Sequence, residues 1–322
     1  IDLNNLISDL DTGSADVPYA LRKVQMIADA VKKADIQNSG TAENEAFIYA
    51  EIGDYENAIK KFEDLFKMEN AQFSEKKKKK YCNLSTRVCV SGYLSSAAQD
   101  KTNWAEQLNT IIGRLDYLLL ISPTAERYCL LGSAYKRRAI ITSGVQRKAS
   151  LKAAAFYYYM ATQKTTQPSV YAVTNWFQME AVIRLNDKQP WNLKETVTVS
   201  KNLFVPDADT AMKKSYELIS REEAIETLAR LQATINKPLQ NMDYWQLVSG
   251  ANIALCQLVM SRKADKEAWG SLLETYKRVW KKSGSVAKRK TELEHLEALY
   301  SVLLHKSVLK DNLIKLEEQL EK

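Results

Sequence analysis

The sequence is poor in residues that interrupt helices, with ten glycines and six prolines in 322 residues. So few breakers predict a mostly helical chain. Histidine is scarcer still: His295 and His305 are the two in the chain. Neither has a cysteine at the close spacing that zinc needs, so no metal is expected. The four cysteines, Cys82, Cys89, Cys129 and Cys256, are scattered and are read as reduced packing residues. No run of about 18 uncharged apolar residues is present, which leaves no candidate membrane span. The opening "IDLNNLISDL" has neither the basic start nor the apolar middle of a secretory leader. A soluble protein of the cytoplasm is expected, and a first residue other than methionine suggests a piece or processed form of a longer protein. The phosphate loop G-x-x-x-x-G-K-S/T, the dinucleotide signature G-x-G-x-x-G and the zinc-protease signature H-E-x-x-H are all missing. The expectation is a protein with no catalytic residue, no cofactor and no metal.

What is present is helix-forming. The apolar fraction is 45% and the charged fraction 26%, the balance of a folded protein with a sizeable core. "PYALRKVQMIADAVKKADI" starts on a proline suited to a first turn and places Leu21, Val24, Ile27, Ala28 and Val31 along one face. In "TAENEAFIYAEIGDYENAIKKFEDLFKMEN" one helix ends near Gly53, the chain turns through Asp54, and a second helix presents Ala58, Phe62 and Leu65. That is an αα-hairpin. The segment "NDKQPWNLKETVTVSKNLFVPDAD" breaks the pattern, with Pro190, Pro206 and a β-branched run between them, and reads as a long crossover loop or a short hairpin. The expected organisation is an N-terminal helical array over 1–188, a connection over 189–209 and C-terminal helices with a cap over 210–322.

The hairpin carries a spacing. Ala46 and Tyr49 on its first helix, and Ala58 and Phe62 on its second, match the small, tyrosine, small and aromatic sites of a repeat unit of about 34 residues, the tetratricopeptide (TPR) unit. Ala42, Glu45 and Asn70 depart from it, where the family prefers Trp, Leu and Pro. "YCLLGSAY" repeats the first-helix half through Tyr128, Leu131, Gly132 and Tyr135. Weaker copies are Tyr81, Leu84, Ser85 and Trp245, Val248, Ser249. Their starts at Ala42, Tyr81, Tyr128 and Trp245 lie farther apart than about 34 residues, as in an array with lengthened helices and loops. The chain therefore resembles a degenerate TPR protein, which implies an all-α, helical-hairpin solenoid.

"ERYCLLGSAYKRRAI" further resembles the repeat region of bacterial TPR proteins fused to a caspase-like CHAT peptidase, and is similar to TRAF-binding helical domains. In the CHAT family the repeat part docks a partner, in some cases an RNA-guided CRISPR effector, and the peptidase part cuts. No peptidase pattern of alternating strands and helices is present in this chain. The resemblance implies a scaffold or regulatory module in bacterial defence that holds another protein or an acidic peptide. Residues just after the second tyrosine site face the groove in TPR proteins, which here gives Lys136 and Arg137, with Ser133 one turn earlier. Two cations there would favour an acidic ligand. The competing reading is a nucleic-acid binder using Lys76–Lys80, the basic residues of 136–152 and the cluster at 277–290, in a chain of net charge +7. Irregular repeat spacing argues against a base code, leaving attraction to the backbone.

Overall fold

The computed structural model describes residues 3–12, 16–33, 39–69, 74–167, 169–188, 195–199, 212–216, 220–235, 244–261, 265–282 and 285–322. In chain order they form α1 (Leu3–Thr12), α2 (Val17–Lys33), α3 (Ser39–Glu51), α4 (Tyr55–Glu69), α5 (Glu75–Ser95), α6 (Lys101–Ile121), α7 (Ala125–Ile141), α8 (Gly144–Thr162) and α9 (Val170–Asp187). Then follow β1 (Glu195–Val199), β2 (Met212–Tyr216), α10 (Arg221–Ile235), α11 (Tyr244–Ser261), α12 (Lys266–Lys282), α13 (Val286–Val302) and α14 (Val308–Glu321). The fold is the expected all-α helical repeat with one exception. Across the pattern break, β1 pairs antiparallel with β2, from Glu195 opposite Tyr216 to Val199 opposite Met212. A lone two-stranded ladder is marginal in water, and β1 lies against α8. Pro190, Pro206 and Asn70 fall outside the described residues.

The chain divides into two compact units, Ile1–Val88 with Val279–Glu294, and Cys89–Arg278 with His295–Lys322. This division does not follow the sequence boundary at 189–209; it falls within α5, α12 and α13.

In the first unit the α3–α4 hairpin closes as its residues dictate. Gly53 has φ +81°, its N–H reaches Ala50 O at 3.3 Å and the N–H of Asp54 reaches Tyr49 O at 2.9 Å. This is the Schellman end of a helix, which needs a left-handed residue. Asp54 then caps α4 by accepting from the N–H of Asn57 at 3.2 Å. Ala46, Ala58, Phe62 and Leu65 are fully buried in one core cluster, and the Phe62 ring meets Phe47 edge-on at 5.6 Å. The departure at Glu45 also has its reason: the carboxylate is buried and pairs with Lys61.

In the second unit α7 packs on α8, α8 on α9 and α9 on α11. Gly132 lets α7 approach, because a Cβ there would stand 3.0 Å from the Tyr158 ring. Thr124 caps α7 by accepting from the N–H of Arg127 at 3.3 Å. The Arg127 guanidinium turns back to the open end of α6, donating to Leu118 O at 2.6 Å and Ser122 O at 2.5 Å. In the fourth repeat copy the buried ring is Tyr244, whereas Trp245 is 44% exposed, so that register slips by one residue.

Candidate functional site

Helix α9 is buried on every side from Ala172 to Arg184. A helix without a wet face must satisfy its polar side chains internally. Glu180 and Arg184 do so as an interior ion pair one turn apart. Asn175 and Gln178, also one turn apart, point into a cluster with α7 and α13 within the second unit. Here the structure places the residues singled out in the sequence. Lys136 is buried, 5% exposed, and its Nζ donates to Asn175 Oδ1 at 2.8 Å and lies 2.8 Å from His295 Nδ1. Ser133 is buried and accepts from Arg137 Nη1 at 2.9 Å. Arg137 is half-buried. The three therefore sit together, with Ser133 and Lys136 in the interior and Arg137 at the edge.

Hydrogen-bond polarity fixes the rest. An ammonium only donates, so His295 Nδ1 accepts; the ring proton is then on Nε2, which donates to Gln178 Oε1 at 2.9 Å. Burial, and then the Lys136 and Arg137 cations, hold the imidazole well below its ordinary pKa. His295 is therefore neutral near pH 7, with both nitrogens engaged. The hydroxyl of the buried Tyr158 lies 3.4 Å from that of the more exposed Tyr171, and desolvation pushes both phenols up. Burial, helped by Glu126, pushes the nearby Cys129 thiol up to about 12, which keeps it protonated. Among the described residues no cluster of His, Cys, Asp and Glu could hold a metal ion.

Asn175, Gln178 and His295 are members of the site that the repeat pattern did not reveal. The signal in "VTNWFQMEAVIRL" is two amide side chains one turn apart in a stretch with no exposed face.

Several cations of the competing reading's clusters at 76–80 and 277–290 are engaged within the first unit. Lys76 lies 5.2 Å from the Phe47 ring centre. Lys77 pairs with Glu43 at 2.8 Å, Lys79 with Glu75 at 3.4 Å and Lys80 with Glu51 at 3.1 Å. Lys288 meets Asp11 at 2.7 Å, Arg289 donates to Trp280 O at 2.6 Å, and Lys290 donates to Gly53 O at 3.1 Å.

No described helix is long and apolar enough to cross a membrane. No curated protein and no solved structure matches the chain. One family model does, that of Tetratricopeptide Repeats-Sensor, over residues 54–180. That span begins at the Asp54 cap of α4 and ends within α9, and so includes Ser133, Lys136, Arg137, Asn175 and Gln178. Over residues 54–180 the chain is thus similar to tetratricopeptide-repeat regions of the sensor family, a likeness that implies a protein-interaction or regulatory role.

Proposed function

We propose that this protein is a non-catalytic regulatory module that docks an acidic segment of a partner protein on α7, with Arg137 as the contact. The observation that carries the reading is the partly exposed position of Arg137 on α7, within the span that matches the sensor model. Its guanidinium is steadied by Ser133, and Lys136 lies behind it as added positive charge. A planar guanidinium grips a carboxylate with two parallel hydrogen bonds, which a lysine at the same place does not. The resemblance to repeat regions of CHAT proteins extends the reading: in a bacterial defence system the chain would be the sensor half of a protease, transmitting partner binding to a peptidase. The test is the affinity of a glutamate-rich peptide for the full chain, followed by fluorescence polarisation. Arg137→Glu should weaken it at least about tenfold, since a charged hydrogen bond contributes roughly 1.5–3 kcal/mol, and Arg137→Lys should fall between. Equal affinity in a folded Arg137→Glu variant contradicts the reading.

A further inference from the structure

The cluster around Gln178 has donors in excess. The side chain is fully buried, its Oε1 is taken by His295, and its Nε2 has no hydrogen-bond partner among the described residues. The amide cannot be turned round to cure this. Its NH2 would then face the imidazole Nε2–H, whose proton is fixed there by the Lys136 ammonium at Nδ1. A chain of donation thus runs from Lys136 through His295 to Gln178 and ends on two amide hydrogens with nothing to receive them. Buried polar groups are nearly always paired, so such a terminus marks a place completed by something else. It lies beside a buried cation, in a cluster edged by the partly exposed Arg137 and His295, and the missing group is an acceptor.

We infer that the interior cluster of α7, α9 and α13, formed by Lys136, Asn175, Gln178 and His295, binds one small oxyanion, a phosphate or a carboxylate group, through Gln178 Nε2, with Lys136 as the neighbouring cation. The inference goes beyond partner docking and concerns a different atom from the Arg137 contact. It gives the sensor repeat a small ligand whose binding fastens α7 to α9 and α13 within the second unit.

The experiment is thermal melting of the full chain in chloride, inorganic phosphate and acetate at matched ionic strength, the last two arms distinguishing a phosphate from a carboxylate. The expected result is a saturable rise of the midpoint in phosphate or in acetate over chloride, with a matching shift of the His295 ring nitrogen signals. Gln178→Glu is the decisive variant. Its carboxylate keeps the acceptor for His295 and supplies, from within, the oxygen that the oxyanion would bring. It should melt higher than the wild type in chloride and lose the oxyanion response. Midpoints and His295 signals that respond to ionic strength alone overturn the inference. So does a saturable response retained in Gln178→Glu. Loss of peptide binding in Arg137→Glu with the oxyanion response intact would separate the two claims.

Discussion

Asp116 shows how a single half-buried group makes stability depend on pH. Its carboxylate accepts from the Tyr157 hydroxyl at 3.1 Å, yet burial dominates and raises its pKa to about 6 from an ordinary 3.8. The raised value means that the folded state holds the proton more tightly. The penalty of a buried charge is absent below about pH 4 and grows to its full size as pH rises through about 6. Asp116→Asn keeps an acceptor for Tyr157 without the charge. It should stabilise the protein by on the order of 3 kcal/mol at pH 7 and by close to nothing at pH 4, since a tenfold change in proton affinity corresponds to about 1.4 kcal/mol; urea unfolding at the two pH values measures it. A gain of the same size at both would show that the charge is not the cause. At Gly132 the argument is steric. Leucine there must displace the fully buried Tyr158 ring, so Gly132→Leu should cost on the order of 1–3 kcal/mol. Unchanged stability would count against the close approach of α7 and α8.

Among the elements, the α3–α4 hairpin is the most legible in the sequence, because everything that closes it is local: Gly53 for the left-handed turn, Asp54 for the cap, Ala58 and Phe62 one turn apart. Gly53→Ala tests the turn alone. A Cβ there would meet its neighbours at an ordinary 3.6 Å, so the cost is the left-handed backbone, about 1 kcal/mol, read from a shifted urea midpoint. Helix α9 is the opposite case. Buried all round, it has no amphipathic period to betray which residues face what. The partners of its amides come from far along the chain: Asn175 meets Lys136, separated by 39 residues, and Gln178 meets His295, separated by 117. The same distance explains why Lys136, read as a groove cation from its place after Tyr135, lies in the interior. The repeat register gives its side of α7, and the covering residues come from other elements. Trp245 fails for a local reason. Two adjacent aromatics, Tyr244 and Trp245, both fit the repeat site, and burial goes to the first.

For the whole molecule, the net charge of +7 is spread over cations that are largely engaged where the structure describes them. Lys76, Lys77, Lys79 and Lys80 and the group at 288–290 serve the first unit's own carboxylates, carbonyls and rings. Long-range attraction to an acidic partner survives such pairing, while a dedicated phosphate-tracking surface needs cations free to point outward. We therefore propose that function lies on α7 in the second unit, within the span that matches the sensor model. The most direct measurement of that claim is amide hydrogen exchange of the full chain with and without a glutamate-rich peptide at physiological salt. The account predicts added protection over Ala125–Ile141 that disappears in Arg137→Glu. Protection confined to residues 286–290, or protection of Ala125–Ile141 that persists in Arg137→Glu, would contradict it.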